Sequence, residues 1–338
     1  MSLCGNNNPC PDLISGQKCG ITYTGARYVP LFADPAQWDN TKAYEPLTIV
    51  LNEGNSYTSK TFVPVGVDIS NETYWALTGN YNAQIESYRQ EVLQLKESLN
   101  KMYALVDNTM TQEQIQNIIS NNRFVKFLDG TYTIDIIGNV GLGIPSNTHL
   151  YFQNVTLNIN TTSSNNYQIL DIKQAQNVVI DGLLTINGDR NTHPGTTGEW
   201  GFGISIQSSS NIYINGVSVN NCWGDGFYIG ESINQTNNNI LIQNCFSNNN
   251  RRQGISIISA INLTIQNVVI TNTNGTSPEY GIDIEPNFNY QKLVNIKLND
   301  ITTKGNNGGG ILFNLAQFDT TTSPISIEVN NHISENEL

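Results

Sequence analysis

The hexapeptide YGIDIE at 280–285 places two carboxylates, Asp283 and Glu285, two residues apart in a stretch where apolar and polar residues alternate. On a β-strand such residues share one face, with Cα atoms about 7 Å apart. Two carboxyls at that range can serve as acid and base on a glycosidic bond. A carboxyl separation of about 6.5–9.5 Å is the geometry of inversion, because it leaves room for a water. Three other stretches carry compatible groups. GDGFYI contributes Asp225 and Tyr228, with Trp223 just before it; NRRQGISI contributes Arg251 and Arg252; EWGFGISI contributes Glu199 and Trp200. Aromatic faces stack on sugar rings, and arginines hold acidic groups. The expected catalytic residues are therefore Asp283, Glu285, Asp225 and Arg252. The expected glycan-binding residues are Glu199, Trp200, Trp223, Tyr228 and Arg251.

Other chemistry fits the same residues. β-Elimination of a uronic acid would need an Arg, Lys or Tyr base and a neutraliser of the carboxylate, often calcium. Asp225, Asp283 and Glu285 could hold calcium, but no acidic cluster is dense enough to predict it, so no metal or cofactor is expected. Outward acidic residues also keep a repetitive β surface soluble, and Arg251 and Arg252 could simply neutralise them. The histidines are His149, His193 and His332; His193, in DRNTHPGTTGEWG, reads as a solvated loop residue.

The elements that must position these groups are written as a repeat. Gly203, Gly226, Gly254, Gly281 and Gly310 each precede an apolar, any, apolar triplet, at steps of 23, 28, 27 and 29 residues. A second column reads Asn, apolar, any, apolar at 177, 211, 239, 262 and 295, with a looser member at 147. Short strands at this period indicate a solenoid. Ile204/Ile206, Phe227/Ile229, Ile255/Ile257, Ile282/Ile284 and Ile311/Phe313 would face inward, and the alternate residues outward. That register also turns Ile258 and Leu312 outward, where they could mark a subunit interface. The glycines suit a positive φ or a close backbone approach, and the asparagines a left-handed corner. The fold class is mainly β: a right-handed parallel β-helix preceded by a small β module and a heptad-bearing helical segment.

Composition agrees. Of 338 residues 38% are hydrophobic and only 13% charged, and the net charge of −12 argues against nucleic acid as a partner. No apolar run is long enough for membrane insertion, and no signal peptide is evident. Cys4, Cys10 and Cys19 crowd the N-terminal tail, Cys222 lies at a corner, and Cys245 aligns with Val217, Val268 and Ile301 as a small core residue. This is not a disulfide framework.

Four segments follow. Residues 1–20 read as a flexible tail. Residues 21–79 hold aromatic-rich runs at Ala43–Leu51, Ser56–Pro64 and Thr73–Leu77, a small β module whose Trp38, Tyr57 and Trp75 form its core or stack on glycans. Residues 80–110 carry a heptad of Tyr81, Ile85, Tyr88, Val92, Leu95, Leu99, Met102 and Val106, with Glu91 and Lys96 at flanking positions. This reads as a parallel coiled coil that oligomerises the chain, with the a and d residues leaving two strands or three open. Residues 111–338 form the β-helix, opened by a capping box at Thr111–Gln114 with Ile115, Ile118 and Ile119 inward. PISIEVNNHISENEL follows the last glycine coil without an evident polar cap.

The pieces KFLDGTYTI and IPSNTHLYFQNVTL resemble the start of the pectate-lyase-like superfamily, in which an amphipathic helix caps the first coil; Leu128-Asp129 stands where the common form has a proline. The pattern of Trp38, Tyr44, Val50, Gly54, Tyr57, Ser59, Pro64, Gly66 and Trp75 resembles small aromatic modules near the N-termini of bacteriophage tail fibres, and loosely chitin-binding-type modules. The whole arrangement resembles the tailspike proteins of tailed bacteriophages. That resemblance implies a trimer in the virion tail. Its N-terminal part would attach to other tail or neck proteins, and its β-helix would bind, and in some members depolymerise, polysaccharide at the host bacterial surface. A purely adhesive virion protein and a secreted bacterial polysaccharide lyase are the alternatives.

Overall fold

The computed structural model of the chain describes residues 36–337, apart from the side chains of 81–83 and 99–101. The tail at 1–20 and its three cysteines lie outside the described residues. The chain divides between Leu99 and Asn100 into two units.

The first unit contains a four-stranded sheet in chain order, from Ala36–Gln37, Ile49–Asn52, Asn55–Ser59 and Trp75–Gly79. Glu53 and Gly54 take φ of 49° and 77°, the paired left-handed geometry of a two-residue hairpin. Tyr44, Val50, Val63, Ile69 and Trp75 are its core. Tyr44 meets Trp75 edge-on at 5.3 Å, while Trp38 and Tyr57 pack against the cluster partly buried. Tyr44 and Trp75 are thus engaged in holding the module together, while Phe62 is half exposed.

The Tyr81–Met102 helix follows. Ile85, Tyr88, Val92, Leu95 and Met102 are each at least half exposed, so the heptad stripe has no partner within the described chain. The heptad stops at Met102. Val106, expected as its last member, is wholly buried in the Ala104–Val106 strand and pairs with Phe127.

The second unit is a parallel β-helix. A seven-stranded sheet runs through Val140–Gly143, Asn166–Lys173, Trp200–Gln207, Phe227–Gly230, Ile255–Ile257, Tyr280–Ile284 and Gly309–Phe313. An eleven-stranded sheet completes the coils. Its long strands, such as Asn237–Asn248, Ala260–Thr271 and Leu293–Lys304, turn at Asn244, Asn267 and Asp300, whose φ are 53°, 51° and 54°. The Gln112–Asn121 helix caps the first coil. Thr111 accepts from Gln114 N while the Gln114 side chain accepts from Thr111 N at 2.9 Å, and Ile115 and Ile119 are buried. At the other end, Ile327–Glu335 pairs with Leu293–Lys304 and adds a further strand beyond the last glycine coil.

Register places Leu170, Ile204, Phe227, Ile255, Ile282 and Ile311 in one inward ladder. A wholly buried side chain of this kind contributes about 1.5–3 kcal/mol of transfer free energy. The asparagine column works as expected: Asn147, Asn177, Asn211, Asn239, Asn262 and Asn295 all have φ between 53° and 61°. Their amides bond from coil to coil, Asn177 to Asn147 at 2.9 Å, Asn211 to Asn177 at 3.0 Å and Asn239 to Asn211 at 2.7 Å.

The repeated glycines have a different cause from a left-handed turn, since none of the five has a positive φ. A Cβ on Gly203 would stand 2.2 Å from Val219 Cγ1, and one on Gly254 2.2 Å from Ile270 Cγ2. Glycine is needed because this position faces inward immediately before another inward residue, leaving no volume for a side chain. Cys245 pairs with Val268 in the core, and both it and Cys222 are buried free thiols.

Candidate active site

The outward ladder next to the core ladder reads Asp171, Ser205, Tyr228, Ser256, Asp283 and Leu312 across six strands. The residues just before the glycines form a second row. Asp225 and Gln253 enter it through backbone bonds, Gly203 N to Asp225 O and Gly226 N to Gln253 O, both 3.0 Å. Asp225 and Asp283 therefore flank one intervening coil, and that coil supplies a donor to each. Ser256 Oγ donates to Asp225 Oδ2 at 2.8 Å, and Gln253 Nε2 donates to Asp283 Oδ2 at 2.7 Å.

Arg252 lies across the group. Its Nη1 is 3.4 Å from Asp225 Oδ2, its Nη2 3.7 Å from Glu285 Oε2 and its Nε 3.5 Å from Glu199 Oε2. Asn314 donates to the other Glu285 oxygen at 2.8 Å. Asp225 and Asp283 are 0% and 1% exposed, and the Oδ1 atom of each is buried without a hydrogen-bond partner. Burial pushes Asp225 up to about 6 against the pull of Arg252. Burial, then the charge of Glu285, pushes Asp283 up to about 7. Desolvation disfavours the ionised form, and a like charge adds to it. Near neutral pH, Asp283 can give a proton while Asp225 can take one, which is the division of labour that acid–base chemistry needs.

The expected catalytic residues are brought together. The charge of Glu285 favours the protonated form of Asp283. Arg252 is the cation these carboxylates share. Among the described residues, no group of three or more His, Cys, Asp or Glu is arranged to hold a metal ion.

Beside this cluster lies a groove of about 430 Å³, lined by Asn166, Gln168, Asp171, Lys173, Trp200, Phe202, Gln207 and Tyr228, among others. Tyr228 is the shared wall. It stacks on Phe202 with centroids 4.3 Å apart and planes 3° from parallel, and it pairs with Ser256 on the next strand. Burial pushes its hydroxyl up to about 12. Trp200 is 51% exposed at the mouth.

Two expected glycan contacts are elsewhere. Trp223 is 5% exposed, sandwiched between His193, stacked at 4.0 Å, and the Arg251 guanidinium, 3.9 Å from its ring centre. Arg251 is itself buried and donates to Gly198 O at 2.6 Å and Thr196 O at 3.0 Å. Both fasten the 188–199 loop that delivers Glu199 and Trp200. His193 belongs to the same knot, not to solvent: its side chain is fully buried and its Nδ1 lies 2.9 Å from Asp189 Oδ2. Tyr167 donates to the other Asp189 oxygen. Ile258 is 5% exposed and Leu312 half-buried, so neither interrupts the polar face as an exposed apolar patch. Gln253, Ser256 and Asp171 were not anticipated. Their signal lay in the repeat, since they occupy the same two rows as Asp225 and Asp283.

No protein-family model matches the chain. An uncharacterised Bacillus subtilis protein, YclG, is 30% identical over 236 residues, 59% of this chain and 40% of that protein. The SPbeta prophage-derived protein YorA of the same organism is 32% identical over 129 residues, 32% of this chain and 22% of its own. The chain thus spans well under half the length of the curated relatives it matches. Among solved structures, bacteriophage phi29 gene product 12 in its pre-mature form aligns with TM-score 0.54 at 17% identity, over 74% of this chain and 35% of that one. The tailspike of Escherichia coli bacteriophage HK620, determined with a pentasaccharide, aligns with TM-score 0.50 at 10% identity, over 65% of this chain and 40% of that one. At these identities the likeness concerns the fold. The chain is a parallel β-helix whose fold resembles those of these two bacteriophage proteins, one of them a tailspike, and one of its sequence relatives is prophage-derived. No described helix is long and apolar enough to cross a membrane.

Proposed function

We propose that this protein is a bacteriophage tail appendage that binds a host surface polysaccharide along the outward face of its seven-stranded sheet and cleaves it by acid–base hydrolysis. Asp283 is the general acid, and Asp225 the base that receives or directs the attacking water. Glu285 and Arg252 set the charge around them. The observation that carries this reading is the pair of wholly buried carboxyls, each with an unpartnered oxygen, beside the Arg252 guanidinium. Burying such a group costs stability, and arrangements of this kind concentrate at functional sites. The neighbouring groove offers the aromatic surfaces of Trp200 and Tyr228 for sugar rings. The unpartnered heptad stripe supports assembly into a homotrimer, and the prophage origin of YorA supports a place in the virion tail, with the N-terminal unit as the attachment to other tail proteins.

One observation favours binding without cleavage: Arg252 pairs with Glu199, Asp225 and Glu285 together and lies over the buried carboxyls. A single experiment separates the two readings. Purified protein and its Asp283→Asn variant are incubated with capsule and cell-wall polysaccharides from candidate hosts. New reducing ends that disappear in the variant establish the hydrolase; equal binding without product by both leaves an adhesin.

A further inference from the structure

We infer that the polysaccharide this face takes is uncharged. The inference rests on the glycan-binding reading above and concerns the charge of its ligand. On the outward face, among the described residues, the carboxylates of Asp171, Glu199, Asp225 and Glu285, beside the proton-holding Asp283, meet two cations, Lys173 and Arg252. The charge of Arg252 is already shared among three of those carboxylates, at 3.4–3.7 Å. The other arginines of these coils are also engaged. Arg190 donates to Asn249 and Asn274, and Arg251 to Thr196 and Gly198. A uronate or phosphate entering this face would meet more anions than cations, on a chain of net charge −12.

What the groove does offer is amide and aromatic. Asn166, Gln168 and Gln207 present side-chain amides beside Trp200 and the Phe202–Tyr228 stack. Amides donate to and accept from hydroxyl and acetamido groups, and aromatic faces take the apolar faces of sugar rings. From the Val140–Gly143 strand to the Tyr280–Ile284 strand is five strand steps, or about 24 Å, so a chain lying along the stack would reach from groove to carboxyls. Trp200 and Tyr228 then bind units on one side of the bond that Asp283 and Asp225 address.

The test compares one set of surfaces with and without their anionic polymers. Cell walls from a bacterial panel that includes Bacillus subtilis, the organism of both sequence relatives, are used intact and after hydrofluoric acid has removed phosphodiester-linked polymers. Capsules in the panel are used native and carboxyl-reduced. Binding of the full chain is measured by sedimentation at low and high salt. The expected result is binding retained or strengthened on the neutralised surface, changing less than about threefold with salt, because screening leaves uncharged contacts alone. The Trp200→Ala variant, altered at an exposed side chain, is expected to bind about tenfold more weakly. Binding lost with the anionic polymers overturns the inference while leaving glycan recognition intact. Binding to neither form anywhere in the panel overturns the glycan reading and this one with it. Unchanged affinity in Trp200→Ala removes the groove from the site.

Discussion

Gln253 donates its side-chain Nε2 to Asp283 Oδ2 at 2.7 Å while its side-chain Oε1 accepts from Tyr280 N at 2.8 Å. One residue of the middle coil therefore fixes both the acid of the next coil and the backbone that presents it. Asp283→Asn keeps the volume and an acceptor for Gln253 but removes the proton donor. Polysaccharide cleavage should fall by about 10²–10⁴-fold, the usual contribution of a general acid, with thermal unfolding little changed. Reducing-end release at equal protein concentration checks it. Cleavage within about twofold of the parent protein would place the acid elsewhere.

The two raised carboxyls also give stability a pH dependence of definite sign. Asp225 and Asp283 hold protons up to about 6 and about 7 in the fold, against 3.8 for an ordinary aspartate. Over the window between these values the native state binds more protons than the unfolded chain, so stability falls as pH rises from about 4 to about 7. Melting temperature should be higher at pH 5 than at pH 8, and the Asp225→Asn/Asp283→Asn variant should flatten that difference. Asp319, held down to about 2 by Thr321 and Asn289, acts in the opposite direction, but only below pH 4. Cleavage should decline above pH 7 as Asp283 loses its proton. A melting temperature that rises between pH 5 and pH 8 in the parent and not in the variant contradicts this account.

Gly254→Ala tests the packing origin of the glycine column. The added methyl would meet Ile270 Cγ2 at 2.2 Å and Gly281 O at 2.5 Å. Overpacking of this kind costs about 1–3 kcal/mol, to be read from the shift of the urea unfolding midpoint. Asn211→Ala should cost a similar amount for another reason. Its φ of 56° disfavours alanine by about 1–2 kcal/mol, and its amide no longer bonds Asn177. Equal stability of Gly254→Ala and the parent would mean that the core yields more readily than its contacts imply.

The heptad helix predicts an assembly. Light scattering should give three times 37.3 kDa, and Val92→Glu/Leu95→Glu should reduce the mass to a single copy while the β-helix keeps its circular dichroism. A parent protein that stays monomeric at high concentration rules out the trimer.

Much of the fold was legible because a solenoid repeats its own rules. The asparagine column announced its left-handed corners, since few other residues accept that geometry and bond to a copy of themselves one coil away. The glycine column located the strands, and of its two possible causes the close approach holds and the positive φ does not, because a crowded core position and a left-handed turn look alike in one dimension. The capping box at Thr111–Gln114 and the core cysteine Cys245 were equally readable, each depending only on neighbours close in sequence or on the repeat.

Local spacing also nominated the outward carboxylates, because alternation on a strand decides which residues share a face. It could not decide what covers them. Trp223 and Arg251 carry the right chemistry for sugars, but the 188–199 loop folds over both, and His193 goes under with them. A loop's path depends on contacts tens of residues distant, such as Arg251 to Gly198, which no local pattern encodes. The sequence alone determined a parallel β-helix with acidic residues on its outer rows. Only the tertiary structure decided that Asp225 and Asp283 are buried there around Arg252, because burial and charge pairing depend on atoms brought together across coils.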